Sequence, residues 1–172
     1  FGGSTQNFEF NFTNPNLYDS DMLLGTNLYY TKKNWSSFYY EIYTRGASVR
    51  LGQSIPLVDR SRGSIGYSFY SKKYNITNQS AILADSTANS TLIELDGLGW
   101  RYTSAGNFTL SRDTRDNIFF PTKGSQITLF SELAGGPFMG DFDYFKQIAQ
   151  VNWYSEAFGK LTLRSKWRFS YI

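Results

Sequence analysis

Apolar residues recur at every second position through most of this 172-residue chain. Period two is the mark of strands with two chemically different faces. It argues against helices, whose apolar stripe returns every three to four residues. Near the start, Phe8, Phe10 and Phe12 alternate with Asn7, Glu9, Asn11 and Thr13. The pattern returns at Leu24, Leu28 and Tyr30, at Ala47, Val49 and Leu51, and at Ile65, Tyr67 and Phe69. It continues at Leu98, Trp100 and Tyr102, at Ile127, Leu129 and Leu133, and at Phe145, Ala149, Val151 and Trp153. The last run is the cleanest: Leu161, Leu163, Trp167 and Phe169 oppose Lys160, Thr162, Arg164, Lys166, Arg168 and Ser170. About eight strands are expected.

The connections alternate in character. NPNLYDSD, PLVDRSRG, NIFFPTKG and SEAFGK are compact, whereas TKKNWSS, KKYNITNQSAILADSTANS and AGGPFMGDFD are polar and longer or Gly-rich. Short turns at one end and long loops at the other describe an all-β, antiparallel up-and-down sheet. In outer-membrane barrels the short turns are periplasmic and the long loops extracellular.

Alternation alone does not say which face is wet. In a soluble barrel or sandwich the apolar face points inward; in a membrane barrel it meets lipid, and the polar face lines the lumen. Large aromatics near the strand ends (Tyr30, Trp100, Tyr102, Trp153, Trp167, Phe169) match interfacial girdles. Runs of about ten residues exceed the usual globular strand. On this basis Phe8, Phe10, Phe12, Leu161, Leu163, Trp167 and Phe169 are expected to face lipid. Lys160, Arg164, Lys166 and Arg168 form a lumen-facing basic stripe, paired with acids such as Glu132 on a neighbouring strand.

Composition removes several chemistries. There is no histidine and no cysteine, so the commonest general base, the commonest metal ligand and any thiolate or disulfide are absent. No apolar run reaches the length of a transmembrane helix. A net charge of +3 is too slight to imply nucleic acid, and the aromatics lie on the apolar parity rather than among the basic residues. Asp141 and Asp143 make a weak calcium pair. Gly135-Gly136-Pro137 lacks the spacing of a phosphate loop. No cofactor, no metal and no enzymatic activity are expected.

The stretch SRDTRDNIFFPTKGSQITLF, residues 111–130, concentrates charge around an apolar triplet. With no nucleophile or base nearby, it reads as a turn: Asp and Asn cap backbone N–H groups, Pro121 pre-sets φ, and Gly124 permits a left-handed conformation. Ile118, Phe119 and Phe120 then form an apolar tip that either dips into the membrane interface or packs on the turn.

The spelling of this turn resembles the Asp-x-Arg-Asp … Phe-Pro-x-x-Gly segment of the BamA-like outer-membrane assembly and secretion superfamily, at Asp113, Arg115, Asp116, Phe120, Pro121 and Gly124. SELAGGPFMGDFDYFKQIAQVNWY, FTNPNLY and YTRGASVRLGQSIPL resemble other stretches of that family. The resemblance implies a sixteen-stranded barrel preceded by periplasmic POTRA domains, of which residues 1–172 would be a partial barrel, its fourth to eleventh strands. POTRA domains and the Val-Arg-Gly-Phe lid-loop motif are not found in the sequence. It further implies residence in an outer membrane, bacterial or organellar. The partners implied are the lipid bilayer, unfolded β-barrel clients and lipoprotein accessory subunits, and the activity is insertion and folding of outer-membrane proteins. A polypeptide-secretion transporter of the same superfamily, a passive porin-like or small barrel, and a soluble β-sandwich binding domain are the alternatives.

Overall fold

The computed structural model describes residues 4–35, 39–78, 80, 90–159 and 161–172. Eight strands follow one another in a single antiparallel sheet, each hydrogen-bonded to the next in sequence. They are β1 (Thr5–Asn14), β2 (Met22–Trp35), β3 (Tyr40–Ser54), β4 (Ser61–Ile76), β5 (Arg101–Asp113), β6 (Gly124–Ala134), β7 (Tyr144–Glu156) and β8 (Thr162–Tyr171). No second sheet lies over the first among the described residues, which removes the soluble sandwich. Nor do β1 and β8 pair with each other, so these eight strands do not close into a small barrel.

Opposed residues of an antiparallel ladder share a face, and the register carries the alternation across the whole sheet. One row runs Phe12, Thr26, Val49, Tyr67, Gly106, Leu133, Phe145. Further along β7, Ala149 opposes Phe169 and Val151 opposes Trp167. Phe8, Phe10, Phe12, Leu163, Trp167 and Phe169 therefore stand on one face. Phe8 is 68% exposed and Leu163 59%. The other face carries Asn11, Asn27, Ser48, Ser68, Asn107, Glu132 and Lys146.

The described residues form no apolar core. Among the described residues the only buried apolar side chains are Ala105, Ala134 and Tyr154, and all three lie on the polar face. That face is crowded: a Cβ on Gly46 would come within 2.7 Å of both Tyr29 and Tyr70. Side chains that converge on one face and spread apart on the other mean that the sheet curls towards its polar side, as a barrel wall does.

Four sequence expectations need correction. Residues 31–35 and 72–76, expected in loops, continue β2 and β4, so β2, β3 and β4 reach 14, 15 and 16 residues. The β2–β3 connection is consequently short, not long. Polar pairing extends the strands: Lys32 Nζ lies 2.9 Å from Glu41, and Tyr43 donates to the same carboxylate at 2.7 Å. A tilted strand crosses a bilayer in about 9–11 residues, so these three overshoot by about five residues, roughly 10–12 Å. Second, Leu98 and Trp100 precede β5 rather than opening it; Gly99, at φ +67°, turns the chain there. Third, Leu161 closes the β7–β8 turn just before β8, its carbonyl accepting from Ala157 N–H at 2.8 Å. Fourth, a short helix, α1 (Ser90–Gly97), lies in the β4–β5 connection, where only a polar loop is expected from sequence.

Candidate functional site

The turn between β5 and β6 is built from its own charges. Arg115 grips Asp113 with two nitrogens, Nε to Oδ1 at 2.8 Å and Nη2 to Oδ2 at 2.5 Å, the two-pronged geometry that suits guanidinium and carboxylate. Its Nη1 donates to the Ile118 carbonyl at 3.2 Å. Asp116 accepts from Thr122 N–H at 2.9 Å, Lys123 N–H at 3.2 Å and the Thr122 hydroxyl at 2.6 Å. These bonds favour the charged form and hold its carboxyl well below the usual carboxylate range, the Thr122 hydroxyl contributing most. Asn117 Oδ1 accepts from Phe119 and Phe120 N–H at 2.8 and 3.1 Å.

Gly124 sits at φ +103°, and a Cβ there would collide with Thr114 O and stand 2.8 Å from Arg115 Cα. The six turn-motif residues thus meet in one folded unit, with Phe120 and Pro121 spanning its 116–124 side. The two carboxylates of the turn, Asp113 and Asp116, are both occupied in holding it together, which leaves neither for acid–base work. The turn also reaches its neighbours: Arg60 of the β3–β4 turn donates to Thr114 O at 3.4 Å, and Thr122 Oγ1 contacts Glu156 at 3.3 Å.

Ile118, Phe119 and Phe120 do not pack on the turn. Phe119 is 85% exposed. The other three turns at this end each present a large, nearly fully exposed apolar side chain as well: Tyr18, Leu57 and Phe158. No single turn sequence announces this set, because it appears only when the meander brings the four turns to one edge.

On the polar face, Arg164, Lys166 and Arg168 lie along β8 opposite Tyr154, Asn152 and Gln150. Arg164 donates to Asn152 Oδ1 at 3.4 Å and stacks 5.7 Å from the Tyr154 ring. The expected pairing with Glu132 is not made. Glu132 is on β6, two strands away, where it opposes Lys146 and accepts from Tyr144 Oη at 2.9 Å. Lys160 lies outside the described residues.

At the opposite end, the β6–β7 loop clasps β5. Gly135 N–H donates to Ser104 O and Asp141 N–H to Tyr102 O, with a bridge between Thr103 and Gly140. Asp141 accepts from Tyr102 N–H at 2.6 Å and takes charge contact from Arg101 Nε at 3.4 Å, while Asp143 accepts from Gly136 N–H at 2.7 Å. The two acids therefore pin backbone on opposite sides of the loop. Among the described residues no group of three or more Asp or Glu side chains could hold a metal ion. Phe138 lies on the apolar face against Gly106, its ring 6.1 Å from Tyr67.

Comparison with known proteins adds a family to this geometry. The model of the Omp85 superfamily domain matches residues 1–172. The outer membrane protein assembly factor BamA of Nitratidesulfovibrio vulgaris (strain Hildenborough) is 27% identical over 156 residues, 91% of this chain; the chain spans 18% of that protein's length. Among solved structures, BamA from Haemophilus ducreyi lacking POTRA domains 1–3 aligns with 87% of this chain and 29% of its own, at a TM-score of 0.62 and 18% identity. At that identity the likeness speaks for the fold alone.

Proposed function

The chain belongs to the Omp85 superfamily, and from that premise we propose that it is part of the barrel wall of an outer-membrane assembly factor that inserts and folds β-barrel proteins. One observation supports the membrane setting above all others: no second layer of the described residues covers the apolar face, which is touched by single side chains from the connections such as Phe138, Trp100 and Ile55. A soluble sheet of this size would bury that face against a second layer. Here it carries Phe8, Phe10, Phe12, Leu163, Trp167 and Phe169 outward, with Leu161 at the adjoining turn, and we assign these seven to lipid. The basic stripe of Arg164, Lys166 and Arg168 then faces the lumen.

The work proposed for the protein is physical rather than enzymatic. A strand edge in lipid leaves backbone groups unsatisfied at several kcal/mol each, so an incoming barrel needs a partner edge until it closes. A wall of fully paired strands supplies the rigid body against which such a seam can open, and strand addition supplies the pairing. The strongly bonded 113–124 turn fits such a wall. Its exposed tip, with Tyr18, Leu57 and Phe158, is assigned to the periplasmic interface of the outer membrane. Residence in the bacterial outer membrane, membership of a sixteen-stranded barrel, unfolded barrel proteins as clients and lipoprotein subunits as partners belong to the same proposal.

The test uses the complete protein that carries this segment, reconstituted in vesicles and offered a urea-denatured outer-membrane barrel. Assembly is read as the heat-sensitive, fast-migrating folded form of the client. The expected result is client folding well above that in empty vesicles. A rate equal to that of empty vesicles would contradict the proposal and favour the secretion-transporter reading.

A further inference from the structure

Near the long-loop end, the outward face of β2–β5 changes from apolar to cationic within one row of the ladder. The row Leu28, Ala47, Phe69 is apolar as far as β4 and ends on Ser104 of β5; the next is Tyr30, Arg45, Ser71, Tyr102; the one beyond opposes Tyr43 to Lys32 and Lys73. Below Arg45 a groove of about 680 Å³ opens outward, walled by Phe8, Phe10, Leu28, Phe69 and Tyr102 and floored by Ala47. Its floor is a single methyl group and its walls are mostly aromatic, surfaces of the chemistry an acyl chain would meet.

Arg45 is exposed, yet held in place. Its Nε donates to the buried Ser71 hydroxyl at 3.1 Å, and its guanidinium lies 4.1 Å from the Trp100 ring centre. The stacking and the Nε bond fix the plane of the fork and leave its terminal nitrogens for an outside acceptor. Among the described residues no carboxylate forms an ion pair with Arg45 or with Lys73, whereas Lys32 is committed to Glu41. The nearby Asp96 is engaged by Ile76 N–H at 3.0 Å, and Glu94 of α1 is exposed. An arginine on a lipid-facing surface is costly at mid-membrane and tolerated near the interface; a planar fork is the group best shaped for phosphate.

We propose that this surface binds one anionic, phosphate-bearing lipid of the outer leaflet, a phosphate on Arg45 with Lys73 close by and one acyl chain in the groove above Ala47, phosphatidylglycerol serving as the probe. The inference rests on the assignment of this face to lipid. Native mass spectrometry of the complete protein, released from nanodiscs containing equal amounts of phosphatidylglycerol and phosphatidylcholine with the same chains, tests it. The wild type should retain phosphatidylglycerol about tenfold over phosphatidylcholine, the worth of one charge-assisted contact. Arg45→Gln should lose the preference while still carrying phosphatidylcholine, and Ala47→Phe should shed both. Equal retention of the two lipids by the wild type, or an undiminished preference in Arg45→Gln, overturns the proposal. So does complete displacement by an equal concentration of soluble glycerol phosphate, which would make Arg45 a plain anion site. A protein that stays monodisperse without detergent and carries no lipid would instead overturn the lipid-facing assignment on which the site depends.

Discussion

Replacing Gly124 with alanine should damage the β5–β6 turn in two separable ways. Its φ of +103° lies where an L-residue is strained, at about 1–3 kcal/mol. The added Cβ would also run into Thr114 O and stand 2.8 Å from Arg115 Cα. Both obstacles are backbone, so no rotamer change relieves them. The chain would have to move off contacts that hold it, among them Thr114 N–H to Ser125 O at 2.8 Å and Asp116 N–H to Lys123 O at 3.1 Å. Losing one or two such bonds adds about 1 kcal/mol each, for a total of roughly 2–5 kcal/mol. Gly159 is the control: its φ is +70° and an added methyl would meet nothing within 4 Å, so Gly159→Ala should cost only the left-handed term, about 1–2 kcal/mol. Urea unfolding of the complete protein in micelles, followed by tryptophan fluorescence, gives both numbers. Trp153 opposes Ser125 beside the turn and should report its loosening. Equal destabilisation by the two substitutions, within about 0.5 kcal/mol, would refute the steric reasoning.

Asp116→Asn should flatten the acid limb of the stability profile. Because the folded carboxyl lies below its ordinary pKa, its contribution is present above about pH 4 and is lost as pH falls below that; parallel wild-type and mutant melts between pH 7 and 3 check it. Val49→Arg, on the apolar face, should cost about 2–4 kcal/mol in lipid, whereas Ser48→Arg, facing the other way, should cost less than about 1; refolding titrations in vesicles compare them. Gly106→Ala would drive a Cβ into the Phe138 ring, so it should lift Phe138 off the apolar face and expose the 135–143 loop to protease, with the neighbouring Phe108→Leu behaving as wild type.

Local pattern carried the strand count and the division of faces, because alternation survives in each strand separately. Residues 113–124 were legible as a turn for the same reason: Asp, Asn, Pro and Gly act on their own backbone. What depended on register was not legible. Glu132 has the charge to partner the basic stripe, yet the ladder sets Arg168 against Gln150 and Lys166 against Asn152. Lys32 and Glu41 have the polarity of loop residues, because their pairing emerges only once β2 and β3 are aligned. The clasp of Gly140 on Thr103 joins residues far apart in the chain, and the four exposed turn tips come together only through the meander.

The central claim is that the apolar face of this sheet meets lipid and the polar face meets water. The chain contains no cysteine, so single cysteines can be placed at 47 through 51 along β3 in a cysteine-free version of the complete protein and spin-labelled in vesicles. Collision rates with oxygen, which concentrates in lipid, and with a water-soluble nickel chelate then read the environment of each position. A lipid-facing apolar side predicts a period of two, with high oxygen access at 47, 49 and 51 and high nickel access at 48 and 50. Nickel access at all five positions, or an alternation of opposite phase, would contradict it.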